Sequence, residues 1–260
     1  MLANNNEAII NKLAKNSVKT NKKQYAILFF TIILSAFMLF CVFTIGMTYL
    51  NSSRLQNTRL NGAEYDIVTM NGFTSEQLNT LQQNENIRSV GIESYAGFIQ
   101  STEYDKTVEI GLLWCDEVFW DNLMSPARTK LDGHYPQNKN ELMVTKDILK
   151  TCGNENLSVG DSLILTYENN TGVYTDEFVI SGIWDGYGDT SAGFVSKAFY
   201  DETGYDLKNN GILCIKLNCN YVFPTTIQSI EKSLDFSDRQ IFAPTGYIEN
   251  SFKLLLGICG

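Results

Sequence analysis

The run from Tyr25 to Leu50 constrains this chain more than any other stretch, because it holds no Asp, Glu, Lys, Arg, Asn, Gln or Pro. At the helical rise it reaches roughly 39 Å, more than the roughly 30 Å hydrocarbon core of a bilayer requires. Only a helix satisfies its own backbone polar groups over such a distance as a lone segment. Its length, and the 24 residues ahead of it, exceed what a cleaved signal carries, and Thr48-Tyr49-Leu50-Asn51 offers no small-residue cleavage site. An uncleaved membrane helix is the expectation.

Charge sets the orientation. Lys12, Lys15, Lys19, Lys22 and Lys23 precede the run against the single acid Glu7. Positive-inside bias places that side in the cytoplasm and the residues beyond the run outside. Residues 51–250 carry 14 Lys/Arg against 28 Asp/Glu, which disfavours nucleic acid as a partner. The reading is a cytoplasmic basic amphipathic segment at 1–24, a transmembrane helix at 25–50 and an extracytoplasmic domain at 51–247. Residues 248–260 turn apolar again and read as the start of a truncated second membrane helix. Ile9, Ile10, Leu13, Ala14 and Val18 at helical spacing make the first segment a helix lying on the inner leaflet.

The outer 200 or so residues suffice for one large domain or two small lobes. Short strands and helices alternate, giving a mixed α+β class. Strands are expected at Glu64–Met70, Val90–Ser101, Thr107–Trp114, Glu141–Val144, Ser162–Glu168, Glu177–Trp184 and Gly211–Asn218. Helices are expected at Thr74–Asn84, Asp116–Met124, Lys146–Thr151, Lys197–Thr203 and Pro224–Leu234. Asp132–Pro136 reads as a turn, and Gly182–Gly193 as a Gly/Asp-rich loop. Cys115, Cys152, Cys214 and Cys219 leave room for one or two disulfides, and a single His leaves a zinc site poorly supported.

Three local patterns stand out. The first is Gly133-His134-Tyr135-Pro136 followed by Asn140-Glu141-Leu142-Met143-Val144. The second is Val159-Gly160-Asp161-Ser162-Leu163-Ile164-Leu165. The third is Phe178-Val179-Ile180-Ser181-Gly182-Ile183. Pro136 stiffens a turn, Gly160 can take positive φ before a strand, and Asp161 can cap its own turn. In order and spacing behind one membrane helix, these patterns resemble the FtsX/MacB-type ABC transporter permeases. The opening Ile10-x-x-Leu13-Ala14-x-x-Ser17-x-Lys19-x-Asn21-Lys22 is similar to that family's start. The resemblance implies a MacB-like extracytoplasmic core domain, with Gly133, Tyr135, Pro136, Glu141, Val159, Gly160, Asp161 and Gly182 as structural motif residues. It also implies a separate cytoplasmic ATPase subunit that binds the ATP, a second permease copy or homologue, and an extracellular substrate or partner. The family's later helices, including the segment that couples to the ATPase, lie outside these 260 residues.

Catalytic sets are not apparent. His134 stands in a turn without a nucleophile, and Asp116/Glu117 and Asp176/Glu177 are adjacent acids whose side chains diverge. Asp185-Gly186-Tyr187-Gly188-Asp189 lacks the ligand series of a calcium loop, and no Walker-type loop occurs. The expectation is no enzyme activity, no resident cofactor and no metal. Trp114, Trp120, Trp184 and Tyr187 are candidates for an apolar groove taking a peptide or lipid-like substrate, and aromatics at strand positions equally read as core. A single-pass membrane-anchored sensor or binding module is the alternative to a permease. An anchored hydrolase lacks a nucleophile, base and orienting group.

Overall fold

The computed structural model describes residues 6–100, 110–187, 192–218 and 224–245. Two helices open the chain, α1 at Asn6–Thr20 and α2 at Lys22–Asn61. Glu7 in the first turn of α1 and Lys19 in its last suit the helix dipole. α2 is long and apolar enough to cross a membrane, and it continues past the apolar run through Arg54 and Arg59. The chain divides at Ser52/Ser53 into two compact units, and the last turns of α2 belong to the second.

From there the elements run as β1 (Ile67–Met70), α3 (Ser75–Gln82), β2 (Ile87–Ile99) and β3 (Ile110–Cys115). After a π-helical turn at Val118–Leu123 and a 3-10 turn at Ser125–Ala127 come β4 (Arg128–Gly133), β5 (Glu141–Thr145) and α4 (Lys146–Thr151). Next are β6 (Ser162–Asn169), β7 (Gly172–Gly186), β8 (Ala192–Val195), α5 (Lys197–Tyr200) and α6 (Leu207–Asn210). β9 (Ile212–Leu217), α7 (Pro224–Lys232) and β10 (Ile241–Pro244) complete the described chain. The class is mixed α+β, an N-terminal apolar helix followed by a sheet-rich domain.

Side-chain caps explain where the short helices begin. Thr74 and Gln77 form a reciprocal capping box on α3. Thr145 accepts from the Ile148 amide, Ser196 from Phe199 and Asp206 from Asn209, each three residues on. Each such cap is worth about 1 kcal/mol.

Strand order among the described residues is β10-β1-β9-β2-β3-β8-β5-β7-β4, with β6 pairing both β2 and β7. The pairings β2–β3, β3–β8, β8–β5, β5–β7, β7–β6 and β6–β2 therefore close a ring of strands. Its strands share one apolar core with α4 and α5, including Leu112, Leu142, Leu163, Leu165, Phe178 and Ile180. Beyond the ring, β2 pairs with β9, which pairs with β1 and then β10. There α3 and α7 supply Leu81, Ile227 and Ile230 to a second core with Ile67, Leu213 and Ile215. A third core gathers Trp120, Met143, Trp184, Phe194 and Cys214 around the π-helical turn. On β9, Leu213 and Ile215 belong to the second core and Cys214 to the third, the two-residue alternation of a strand covered on both faces.

Several expectations change. The segment from Gly182 is not a loop throughout: β7 continues to Gly186 and β8 begins at Ala192. The Gly/Asp composition obscures a strand paired on both edges, by β4 and β5. Asp132 and Gly133 end β4 rather than forming a free turn. Asp116–Met124 narrows to the π-helical turn. Cys115, Cys152 and Cys214 are buried free thiols, so no bridge joins these three. The expected second membrane helix at 248–260, Cys219 and Asp189 lie outside the described residues.

Candidate functional site

The three sequence patterns meet on four residues of β7. β5 pairs with Val179–Trp184, while β6 pairs with Gly172–Val179 and β4 with Gly182–Gly186, so β6 and β4 share the other edge of β7 in succession. The handover falls at Ile180–Gly182. The Gly160 amide donates to Ile180 O at 2.8 Å, and the Ile180 amide donates to Asp161 O at 2.9 Å. The His134 amide donates to Ser181 O at 2.9 Å, and Gly133 pairs with Gly182. The Val179 amide donates to Asn140 O at 2.8 Å, next to the Glu141–Val179 pair.

A bulge makes this handover possible. Leu142 pairs with Ile180 but Met143 pairs with Gly182, leaving Ser181 as the extra residue. Ile180 and Ile183, an odd number apart, consequently both reach the ring's core. Gly133 has φ +86, and a Cβ there would stand 2.2 Å from Ser181 O. The backbone approach therefore admits no larger residue.

The remaining motif side chains secure the loops around this point. Asp161 Oδ2 accepts from the Ser158 amide at 2.8 Å. Glu141 accepts from the amides of Gln137 at 2.7 Å and Asn138 at 3.1 Å. Slight burial works against the charge of Glu141, but these donors, the Asn138 side chain and His134 hold its carboxyl below the usual range. The Tyr135 hydroxyl accepts from Cys115 N at 3.0 Å and contacts Val195 O at 3.2 Å, stitching β3 to β8. Burial pushes its phenol well up. Pro136 is buried and Val159 exposed.

The candidate aromatic groove is distributed differently. Trp114 packs in the ring's core, its rings stacked on Tyr200 at 5.1 Å. Trp120 and Trp184 belong to the third core and meet through Phe194, at 5.4 Å and 5.6 Å. Tyr187 is exposed and carries the Arg59 guanidinium over its ring at 4.1 Å. Trp120 and Trp184 are thus brought together, while Trp114 lies in another core. His134 is exposed in the β4–β5 connection.

A second constellation has no local signature in the sequence. Lys216 on β9 is nearly enclosed, with Nζ 3.3 Å from Glu64 and 3.2 Å from Asp66. Arg54, in the last turns of α2, pairs with the same Glu64. Asp66 also accepts from the Leu217 amide at 2.9 Å. Burial works to raise the Glu64 carboxyl, yet the Arg54 hydrogen bond and the charges of Lys216 and Arg54 leave it below the ordinary value. Thr58 is buried beside this network. The segment 53–61 of α2 is thereby fastened through ion pairs to the connection ahead of β1 and, by way of Glu64, to β9.

No family model matches the sequence, and no curated protein does. Solved structures do. The periplasmic region of MacB from Actinobacillus actinomycetemcomitans is similar at 13% identity, over 75% of this chain and 95% of that one, with TM-score 0.47. A domain of a putative permease protein from Porphyromonas gingivalis shares 10% identity over 72% of this chain and 95% of that one, with TM-score 0.41. The extracellular domain of the noncanonic ABC-type transporter YknZ from Gram-positive bacteria shares 12% over 69% and 98%, with TM-score 0.44.

Proposed function

We propose that this chain is a permease subunit of an FtsX/MacB-type ABC transporter, without enzymatic activity of its own. A separate cytoplasmic ATPase supplies the energy, and the domain beyond α2 passes the resulting movement to an extracytoplasmic substrate or partner. The N-terminus is cytoplasmic in this reading, which the lysines before the apolar run support through positive-inside bias. The observation that carries the proposal is the fastening of residues 53–61 of α2 to the sheet. Arg54, Glu64, Lys216 and Asp66 link the last turns of α2 to the connection ahead of β1 and to β9. A change of helix tilt then displaces a sheet rather than bending a loose linker.

Affinity purification of the native complex tests this. A P-loop ATPase is expected to copurify, and tags placed after residue 62 are expected to react with membrane-impermeant reagents. Repeated recovery of no ATPase, or a protected tag, rejects the reading.

A polar cleft of about 430 Å³, lined by residues including Asn71, Gln77, Lys208, Arg239 and Gln240, favours the second reading, a membrane-anchored sensor or binding module. A small polar ligand that raises the melting temperature with no ATPase partner present would support that reading over the first.

A further inference from the structure

Three connections meet around the polar cleft of about 430 Å³: the turn from β1 to α3, the short helix α6, and the segment from α7 to β10. Gln77 and Gln240 close its floor. Each side-chain amide donates to the other, at 3.1 Å and 2.9 Å, and each also donates to a backbone carbonyl, Leu234 O and Gly72 O respectively. Asn71 Nδ2 donates to Arg239 O at 2.8 Å, tying residues 168 apart in sequence. Gly72 takes φ +89, and a Cβ there would stand 1.9 Å from Lys208 O, so this turn presses directly on α6. Among the described residues only two other than glycine have positive φ, Asn71 and Asp235, and both line the cleft. Such conformations persist where the surroundings over-determine them, and they gather at ligand sites.

The same cleft carries both signs of charge. Lys208 and Arg239 supply cations, Glu76 and Asp235 supply anions, and all four residues are exposed. None of them makes an ion pair among the described residues. Lys208 reaches Asp206 only through its field, and that carboxylate is engaged by the Asn209 side chain. Opposite charges that line one cavity without pairing leave separate places for an anionic and a cationic group. The mixture disfavours a simple oxyanion, which the acids repel, and a metal cation, which Lys208 and Arg239 repel. No aromatic ring stands among the described lining residues, so a nucleobase or a quaternary ammonium finds no face to stack on.

We propose that this cleft binds a small zwitterion bearing a primary ammonium and a carboxylate, the chemistry shared by free amino acids and short peptides. Lys208 or Arg239 takes the carboxylate, and Glu76 or Asp235 takes the ammonium. The cleft's volume falls within the roughly 300–1,000 Å³ of small-molecule sites. This deepens the binding-module reading and rests on it for the cleft's having a ligand at all.

Isothermal titration calorimetry of the full chain in nanodiscs tests it, with L-glutamine as the free amino acid and triglycine as the short peptide. At least one is expected to give a saturable heat; glutamine alone assigns the site to amino acids, triglycine alone to peptides. Acetylating the amine of the responding probe, or converting its main-chain carboxylate to an amide, should weaken binding about tenfold or abolish it. Combining Lys208→Gln with Arg239→Gln should erase the penalty for the amide and keep that for the acetyl form. Combining Glu76→Gln with Asp235→Asn should do the reverse, and Asn tolerates the positive φ at that position. All four side chains are exposed and outside any ion pair, so these variants should melt with the parent. Binding that blocking either end leaves unchanged overturns the proposal, as does silence from both probes. A saturable response to maltose alone also overturns it, yet leaves the binding-module reading standing. Silence from maltose as well takes the cleft away from that reading.

Discussion

The ammonium of Lys216 sits 3.2 Å from the carboxylate of Asp66, joining two side chains 150 residues apart in sequence. Both are nearly excluded from water. A buried ion pair contributes little over an apolar replacement, but removing one partner strands the other charge. Lys216→Met is therefore expected to cost about 3–5 kcal/mol, read from the denaturant midpoint of the detergent-solubilised chain. Asp66→Asn should cost a comparable amount, and the double variant less than the sum of the two. Additive losses would mean that the pair is not coupled.

The link through Arg54 adds an acid-sensitive term. Because the folded-state pKa of Glu64 lies below its ordinary value of 4.5, its contribution is present above that value and is lost as pH falls through the folded pKa. The parent chain should lose stability on acidification from pH about 5 toward 3. Arg54→Gln should flatten that loss, since the largest of the lowering causes is then gone. Unfolding midpoints measured across the acid range in both proteins decide the matter.

Glu93 works in the opposite direction. It pairs with Cys115 and Ile212 in the ladders of β2, and although part of the residue still meets solvent, burial pushes its carboxyl up to about 7. Between the ordinary 4.5 and about 7 the folded chain holds a proton that the unfolded chain has released, so this group makes stability fall as pH rises through that window. Glu93→Gln should be more stable than the parent at pH about 8 and should flatten the dependence between about 5 and 8. An unchanged pH profile would count against the assignment.

Gly133 and Gly160 both take positive φ, at +86 and +94, but only one is crowded. A Cβ at Gly133 would strike Ser181 O at 2.2 Å, whereas nothing lies within 4 Å of one at Gly160. Gly160→Ala should cost about 1–2 kcal/mol from backbone strain alone. Gly133→Ala should cost more, because the β4–β7 pairing itself must open. Equal losses in thermal unfolding would show that the handover at Ser181 is looser than its hydrogen bonds imply.

How much of the fold is legible in the sequence depends on the range of the interactions involved. Thr74 with Gln77, and Thr145 before Lys146–Thr151, are local signals, and both helices begin where those caps stand. The motif residues 133–136, 140–144, 159–165 and 178–183 are recognisable as strand lead-ins. That they tie to one bulge depends on pairings between distant segments. β4 is hidden because Arg128-Thr129-Lys130-Leu131-Asp132 is an exposed edge without apolar alternation. β10 carries Pro244, which suits an edge strand but argues against one in sequence. Lys216 is a lone charge in the strand Ile212–Leu217, and nothing local reveals that Glu64 and Asp66 lie beside it. The aromatic groove fails to assemble around Trp114 for a similar reason, since period alone does not tell which of three cores a tryptophan joins.

The last turns of α2 should behave as part of the domain. A helix end left in solvent frays, and its amides exchange rapidly. Here Thr58 is buried, its hydroxyl donates to Arg54 O at 3.1 Å, and Arg54 is paired with Glu64. Amides from Ser53 to Arg59 should therefore exchange slowly, at rates close to those of β1 and β9. Thr58→Asp places an unpaired charge in a closed position and should release this segment into fast exchange while the ring's core stays protected. Fast exchange across 51–59 in the parent would remove the basis for passing helix movement to the sheet, because a frayed turn absorbs tilt instead of transmitting it.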